Sequence, residues 1–284
     1  MIDLLRLLTS RRARNAYRAQ RINASKPTHA ELRNGKFDRA IVATVAFNRP
    51  DVVEWQIHLV RKFLAEHEGY IVFDNSSKPK QRQAVHALCK RENVPYVGLP
   101  RISFEQSHSH GAALNWITQN FIVKHRPPLF GFVDHDIFPL EPLSIAEKIA
   151  GAQVYGWEMS RGDARYLWAG FCFFCGVDPR PLDFFPFKPP HVEASDWPNW
   201  LDTGGSNWNI LYRHLREDEF RAAQVQSIPT TPRGIPFDEI DGWLHAGQAA
   251  WQWDDHPKDR LRLLEERLIS AYGGDQPQID MRPI

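Results

Sequence analysis

The sequence predicts an α/β fold in which helices cover both faces of a mainly parallel central sheet. Short apolar runs of strand length alternate with segments whose apolar residues have helical spacing. The strand runs are continuously apolar and do not alternate with polar residues, which is typical of strands buried on both faces. The resulting βαβαβαβ order favours parallel strands joined by crossover helices.

The first half of the chain contains four predicted strands and three predicted helices. The first strand, residues 40–47, stops before Pro50, and Asp51 opens a helix that continues to Gly69. The other predicted elements are strands at residues 70–73, 95–99 and 130–133 and helices at residues 79–91 and 111–121.

The second half of the chain has a different composition, with eight of the ten tryptophans from Trp157 onward. A continuous apolar run at residues 166–174 predicts another buried strand, and helices are predicted at residues 206–216 and 257–272. Pro257 near the start of the last helix and glycines after its end mark its limits. The predicted organisation is an N-terminal segment, two halves and a tail, at residues 1–36, 37–140, 141–274 and 275–284.

Composition and cysteine content narrow the class of protein. The chain has 284 residues, 35 basic and 34 acidic, with a net charge of +1, so it lacks the general basic character of a nucleic-acid-binding protein. No apolar stretch approaches the roughly 18 residues that span a membrane. Three cysteines and the lack of a secretory signal favour the cytoplasm. Cys172 and Cys175 lie three residues apart on a predicted strand, so they face opposite sides and are expected in the core.

Residues 1–21 carry six arginines against one acidic residue, Asp3. Leu4, Leu5 and Leu8 fall on one side of a helix. This pattern is typical of a helix that lies on an anionic membrane surface. A helix that packs on the domain is the alternative, so the sequence predicts a cytoplasmic protein with a candidate peripheral contact to the inner face of a membrane.

Asp134-His135-Asp136 is the most informative motif, because it closes the predicted strand at residues 130–133. On a strand, Asp134 and Asp136 point to one side, where two carboxylates can hold a divalent cation beside phosphates, and His135 points away. Asn48, Asp74 and Asn75 follow other strands, so all these residues are expected at one edge of the sheet. A charged turn without a ligand is the alternative.

Several common enzyme motifs are absent from the sequence. There is no phosphate-binding P-loop and no dinucleotide-binding glycine fingerprint after the first strand. The nucleophile elbow of serine hydrolases and the paired histidines of zinc proteases are also missing. These absences argue against P-loop nucleotidases, dinucleotide-dependent dehydrogenases and two large hydrolase classes.

Four short motifs follow one another along the first half: Phe47-Asn48-Arg49-Pro50, Asp74-Asn75-Ser76-Ser77, Gly111-Ala112-Ala113-x-Asn115 and Asp134-x-Asp136. In this order and spacing they resemble the nucleotide-sugar half of a GT-A-fold glycosyltransferase, close to the family-2 type. Looser matches follow at Trp168-Ala169-Gly170-Phe171, Asp202-Thr203-Gly204-Gly205 and Gly242-Trp243-Leu244-His245. The resemblance implies a nucleotide-sugar-binding half at residues 37–140 fused to an acceptor-binding half at residues 141–274.

The resemblance also implies a nucleoside-diphosphate-sugar donor, a glycan or lipid-linked acceptor, and a divalent cation, Mn²⁺ or Mg²⁺, as cofactor. It makes Asp136 a metal ligand, Asp134 a ligand of the metal or the ribose, and His245 a further metal ligand. A cation held by carboxylates stabilises the negative charge that develops on a leaving diphosphate.

Further substrate contacts are implied by the same resemblance. Asp74 would hydrogen-bond the nucleotide base and Asn48 would hold the base or the ribose. Arg101 and either His108 or His110 would contact the diphosphate. For Asp74 and Asn48 the alternative is turn capping, a common role of Asp and Asn.

An acceptor hydroxyl needs a general base, and in inverting members of the fold this base is a carboxylate near the start of a late helix. Asp202 fits, because Thr203-Gly204-Gly205 and a predicted helix follow it. A helix N-cap is the alternative role for Asp202, and Glu193 and Asp196 are substitute bases. Tryptophans could stack on acceptor sugars, and we expect one or two of them to do so, with Trp168 included: Trp157, Trp168, Trp197, Trp200 and Trp208.

Two other functions remain open at this point. A metal-dependent hydrolase could combine His108 and His110 with Asp134, Asp136 and His245 in a two-metal site. The metallo-β-lactamase pattern fails, however, because alanines occupy its last two positions. A non-catalytic nucleotide- or carbohydrate-binding protein on the same fold is the second alternative.

Overall fold

The computed structural model describes residues 24–29, 38–99, 106–186, 201–230, 235–247 and 257–274, together with residues 277, 279 and 281. Several predictions lie outside these residues. They are the membrane contact of residues 1–21, the diphosphate contact of Arg101, the substitute bases Glu193 and Asp196, and the tryptophans at 197 and 200.

Within the described residues, eleven strands form two sheets. They are β1 (Ile41–Ala46), β2 (Tyr70–Asp74), β3 (Tyr96–Gly98), β4 (Leu129–Asp134), β5 (Ile137–Pro139), β6 (Val154–Arg161), β7 (Ala164–Cys175), β8 (Phe220–Ala222), β9 (Val225–Ile228), β10 (Phe237–Ile240) and β11 (Trp243–His245). The main sheet has the order β3-β2-β1-β4-β7-β6-β8. Only the pairs that β7 makes with β4 and β6 are antiparallel, which confirms the predicted mainly parallel sheet.

Five described helices lie between these strands in the chain, and a sixth follows β11. They are α1 (Pro50–Phe63), α2 (Pro79–Arg91), α3 (Gln106–Ile117), α4 (Ile145–Ile149), α5 (Asn207–Ile210) and α6 (Pro257–Tyr272). A π-helical segment, Thr118–Ile122, and a last turn, Val123–His125, extend α3. The predicted helices at residues 79–91 and 257–272 are therefore confirmed with their bounds.

Two predicted helices are shorter than expected. α1 ends at Phe63 and not at Gly69, because Leu64 takes an extended conformation and forms a bridge with Leu143. A 3₁₀ turn, His67–Gly69, then leads into β2. The predicted helix at residues 206–216 is divided, because Leu211 leaves helical geometry with φ −132° after α5, and a separate 3₁₀ turn follows.

Alternate residues of β1 pack on opposite faces of the main sheet. Ile41, Ala43 and Val45 belong to a cluster that includes apolar residues of α3. Val42 and Ala46 belong to a second cluster with residues of α1, α2 and α4. This division explains the continuous apolar character of the strand and confirms that helices cover both faces.

The second sheet was not predicted. It has the order β5-β11-β10-β9, with all pairs antiparallel. β5 begins one residue after Asp136, so this sheet is continuous with the Asp134-His135-Asp136 turn. Trp55 of α1, Phe138 of β5, Leu244 of β11 and Leu264 of α6 share a third buried cluster. The second sheet is thereby fixed against α1 and α6.

Cys172 is fully buried in the cluster on the α3 side, whereas Cys175 is half-buried and packs against the opposite cluster. The two thiols thus face opposite sides of β7, as predicted for core residues. Among the described residues, no helix is long and apolar enough to cross a membrane.

Candidate active site

A cleft of about 460 Å³ opens at the edge of the main sheet where the parallel strands β1, β2 and β4 end. Eight of the described residues that the sequence suggested for the site line it: Asn75, His110, Asp134, Asp136, Trp157, Trp168, Asp202 and His245. Other lining residues include Phe47, Ser109, His135, Met159, Pro236 and Asp238. The fold therefore brings residues from positions 45 to 247 into one concave surface.

Asp134 is the last residue of β4, and its carboxylate oxygen Oδ1 lies 3.1 Å from Nε2 of His110 in α3. Asp136 is buried and lies in the turn after the strand. Residues 135 and 136 form a turn, so the strand alternation from which the prediction for His135 was made ends at Asp134. His135 borders the cleft with its two neighbours.

Gln56 of α1 hydrogen-bonds the backbone on both sides of this turn. Its side-chain Nε2 donates to the backbone oxygens of Asp134 and Ile137, each at 2.7 Å, and its Oε1 accepts from the Tyr70 hydroxyl at 2.6 Å. Gln56 is completely buried. Sequence analysis missed it, although a polar residue within the apolar stripe of a helix was an available signal.

His245 reaches the turn through the second sheet. It pairs with Ile137 across β11 and β5, and the next residue, Ala246, donates its backbone N–H to the Asp136 carbonyl at 2.8 Å. Its ring Nδ1 lies 3.3 Å from Oδ2 of Asp238. Metal-binding histidines commonly make such a contact to a carboxylate with the nitrogen that does not bind the metal.

Asp238 was also missed, but the sequence contains the signal that finds it. Asp241-Gly242 is a typical two-residue hairpin turn. Both residues have positive φ, 47° and 89°, as that turn requires. This turn sets β10 against β11 so that Asp238 pairs with His245.

Two carboxylates and one imidazole are donors that suit Mn²⁺ or Mg²⁺. Asp134, Asp136 and His245 line the same cleft, so the donor set fits the implied cation. Their ligand atoms do not all lie within 4.8 Å of one another. Within the described ranges, Glu54, His58 and Glu92 form the group that meets this distance. Both glutamates of that group pair with arginines.

The cleft is rich in carboxylates, and their charge shifts the titration of His110. Burial lowers the pKa of His110, but the charges of Asp134, Asp202 and Asp136 outweigh it and raise the pKa above its usual value. Burial would raise the pKa of Asp134, yet the nearby His110 reverses the effect and lowers it. Asp134 is therefore ionised at neutral pH, as a metal ligand must be.

Asp202 lies in a turn on the other side of the cleft. Its Oδ1 accepts the backbone N–H of Thr203 at 2.7 Å, and its own backbone N–H donates to the Tyr166 hydroxyl at 3.0 Å. Ser206 and not Asp202 occupies the N-cap position of α5, so the alternative role as a helix cap does not apply. Oδ2 makes no hydrogen bond to the described residues, which leaves it available to accept a proton.

Trp168 and Trp157 form an aromatic wall beside His245. Their ring centroids lie 5.1 and 5.6 Å from the imidazole, and 5.2 Å from each other. Trp168 lies over Gly170, where a Cβ would approach the indole to 2.2 Å. Any larger residue at position 170 would therefore displace this ring.

Asn48 and Asp74 have capping roles in the structure. Asn48 Oδ1 accepts the backbone N–H groups of Ser77 and Lys78 at 3.1 and 3.0 Å, and so ties the ends of β1 and β2 together. Asp74 is fully buried and accepts from the Ser76 N–H at 2.8 Å and the Tyr96 hydroxyl at 2.9 Å. Neither side chain is among the residues that line the cleft, and their nucleotide contacts stay predictions.

The Gly111-Ala112-Ala113-x-Asn115 motif anchors α3. A Cβ at Gly111 would lie 2.7 Å from the carbonyl oxygen of Phe184, so only glycine allows this close approach. The Asn115 side chain donates to Asp183 and accepts from the backbone N–H of Phe184, both at 2.9 Å. This packing places Ser109 and His110 at the cleft, where Ser109 Oγ accepts from Asn75 at 3.0 Å.

Comparison with known proteins gives matches among solved structures alone. No protein-family model and no curated protein matches the chain. One similar structure is glucosyl-3-phosphoglycerate synthase from Mycobacterium tuberculosis in complex with Mn²⁺, UDP and glucosyl-3-phosphoglycerate. It is 13% identical with a TM-score of 0.39, over 65% of this chain and 69% of the other.

Two further structures are similar, each with 14% sequence identity. The synthase in complex with phosphoglyceric acid is 14% identical with a TM-score of 0.38, over 65% of this chain and 69% of the other. The WbbM bifunctional glycosyltransferase is 14% identical with a TM-score of 0.32, over 50% of this chain and 32% of the other. TM-scores below 0.5 decide nothing about activity, which the residues of the cleft have to support.

Proposed function

We propose that this protein is a metal-dependent glycosyltransferase that moves a sugar from a nucleoside-diphosphate sugar to an acceptor hydroxyl, with inversion and with Asp202 as the general base. The observation that carries this proposal is that Asp202 shares one cleft with Asp134, Asp136 and His245. A group that activates an acceptor thus faces groups that bind a metal–diphosphate unit.

Each residue has a role in the proposed reaction. Asp136, Asp134 and His245 would hold the cation, which when bound supplies Lewis-acid stabilisation of the leaving diphosphate. Oδ2 of Asp202 would accept the proton of the acceptor hydroxyl, whose oxygen attacks the anomeric carbon as the bond to the diphosphate oxygen breaks. Thr203 keeps the other carboxylate oxygen in place through its N–H.

The acceptor would be a glycan or a lipid-linked molecule. Trp168 and Trp157 give the cleft an aromatic wall that suits the apolar face of a sugar ring. Phe47, Asn75 and Ser109 lie where the strands β1 and β2 end, and would contact the nucleotide.

The position of His108 argues against the hydrolase alternative. This residue is buried, packs its ring against Phe185 at 6.3 Å and is not among the residues that line the cleft, unlike His110. A two-metal site that needs both histidines therefore does not assemble in the described structure.

The test is transfer by the Asp202→Asn variant, assayed with the donor that wild type hydrolyses or transfers. The asparagine keeps an oxygen for the Thr203 N–H but is a far weaker base. Turnover should fall at least about a hundredfold, the low end for a lost general base, with unchanged affinity for the nucleoside diphosphate. Asp163→Asn, at an exposed position in the loop between β6 and β7, is the matched control. Near-normal turnover of Asp202→Asn would refute the assignment.

A further inference from the structure

Three polar side chains stand side by side across the second sheet. Ser227 of β9 pairs with Asp238 of β10, and Asp238 pairs with His245 of β11. The Ser227 hydroxyl donates to Oδ1 of Asp238 at 2.5 Å, and Oδ2 of Asp238 lies 3.3 Å from Nδ1 of His245. The carboxylate therefore has one partner on each neighbouring strand.

The position of the imidazole is determined from several sides. The side chains of Asp238 and His245 are only 15% and 13% exposed, so water competes weakly for their contact. Trp157 and Trp168 flank the ring at 5.6 and 5.1 Å and limit its rotation. The backbone N–H of Ala246 donates a hydrogen bond to the Asp136 carbonyl, and this fixes the strand that carries the ring.

Gly247 lies beside the edge of the imidazole that is remote from Asp238. A Cβ at Gly247, which lines the cleft, would lie 3.4 Å from Cε1 and 3.7 Å from Nε2 of His245. Gly247 has φ 53°, a conformation that glycine adopts without strain. The nitrogen remote from Asp238 thus lies beside a glycine that lines the cleft, and Nη2 of Arg260 lies 3.7 Å from the same Cβ position.

We propose that Asp238 is a positioning residue that accepts the Nδ1–H of His245, so that the neutral ring carries its proton on Nδ1 and presents an unprotonated Nε2 to the cleft. A neutral imidazole has one donor nitrogen and one acceptor nitrogen, and the hydrogen bond made by one decides the state of the other. Only an unprotonated nitrogen can bind a metal, so Asp238 selects the tautomer that the proposed function requires. Ser227 in turn orients the carboxylate.

This inference rests on the proposed metal role of His245, but its first test needs no metal. The full-length protein, labelled with ¹⁵N-histidine and free of metal, is examined by long-range ¹H–¹⁵N NMR above the titration of the ring. The His245→Gln variant identifies the His245 signals. Wild type should show the Nδ1–H tautomer. Asp238→Ala should change it to the Nε2–H form, whereas Asp238→Asn keeps an oxygen acceptor and should retain the wild-type tautomer.

The second test is Mn²⁺ affinity, measured by electron paramagnetic resonance. Asp238→Ala should weaken it about 10- to 100-fold, as is usual when the carboxylate partner of a ligand histidine is lost, and Asp238→Asn should restore most of it. Ser227→Ala should have a smaller effect in the same direction and gives a readout if Asp238→Ala does not fold.

The outcomes separate this inference from the proposed function. A wild-type Nε2–H tautomer, or an Asp238→Ala ring that stays in the Nδ1–H form, would overturn the positioning role. A changed tautomer with unchanged Mn²⁺ affinity would also overturn it. If wild type binds no Mn²⁺ at all, the proposed metal site fails, and the tautomer result alone decides whether Asp238 positions the ring.

Discussion

Replacing Gln56 with leucine should both destabilise the protein and disturb the Asp134-His135-Asp136 turn. The Gln56 amide satisfies three groups: the carbonyl oxygens of Asp134 and Ile137 and the hydroxyl of Tyr70. Gln56→Leu keeps the side-chain volume but leaves all three without this partner. We therefore expect the loss to exceed that of an ordinary surface substitution.

The magnitude follows from the burial of these groups. A buried polar group that loses its partner costs about 1–3 kcal/mol, so three such groups give a loss of at least about 3 kcal/mol in the free energy of unfolding. Gln56 and Tyr70 are almost fully buried, so water cannot easily replace the lost bonds. For a chain of this size, this loss lowers the unfolding temperature by roughly 6–12 °C.

The assay is equilibrium urea denaturation of wild type, Gln56→Leu and a control, Gln153→Leu. Gln153 also uses its amide, but it makes one bond, to Glu219 at 2.8 Å in a partly buried position. We expect a loss of about 1.5 kcal/mol for the control, the low end for a hydrogen bond to a charged group, because this bond is only partly buried. Equal losses for the two variants would refute the view that Gln56 is the main support of the turn.

Two further predictions concern the cleft and the turn that ties β1 to β2. Gly170→Ala places a Cβ 2.2 Å from the Trp168 indole and must displace that ring. The acceptor KM should therefore rise roughly 2- to 12-fold, as it should in Trp168→Ala. The affinity for the nucleoside diphosphate should not change. Trp208 packs against the core and does not line the cleft, so Trp208→Ala is the control for loss of an indole. An unchanged KM in Gly170→Ala would contradict the stacking role. Asn48 has φ 54° and caps two N–H groups, so Asn48→Ala should cost about 2–4 kcal/mol by loss of the cap and by strain, and Asn48→Gly only about 1–2 kcal/mol. Equal unfolding free energies for the two Asn48 variants would show that the left-handed backbone carries no strain.

Much of the main sheet could be predicted from the sequence because its signals are local. The strands β1, β2 and β4 are continuous apolar runs that end in polar residues, and α2 and α6 begin with proline at positions that allow a helix start. Both faces of β1 are buried, because alternate residues of the strand pack into clusters on opposite sides of the sheet.

The second sheet could not be predicted by the same reasoning. Its strands have three or four residues, too few for periodicity to show, and β5 pairs with β11 across about a hundred residues of chain. His245 was therefore found through family resemblance and not through spacing. Only the Asp241-Gly242 hairpin was visible locally, and it would have placed Asp238 beside His245.

The candidate site was predicted only in part. Strand order indicates which residues lie at the same edge of the sheet, but it does not indicate which side chains contact one another. Asp134, Asp136 and Asp202 line one cleft, and their roles stay predictions. Asp74 and Asn48 satisfy their polar atoms within neighbouring turns, which is the alternative that sequence reasoning had left open. Asp and Asn at the ends of strands serve both roles, so only the observed hydrogen bonds distinguish them.

The most direct test of the proposed function is a thermal-shift screen of nucleoside diphosphates against wild type and Asp136→Asn, with and without Mn²⁺. Wild type should be stabilised by one nucleoside diphosphate, with a larger shift when Mn²⁺ is present, because ligands that bind only the native state raise its stability. Asp136→Asn should lose the Mn²⁺-dependent part of that shift. No shift with any nucleoside diphosphate, or a shift that is the same with and without Mn²⁺ in both proteins, would contradict a metal-dependent nucleotide-sugar site in this cleft.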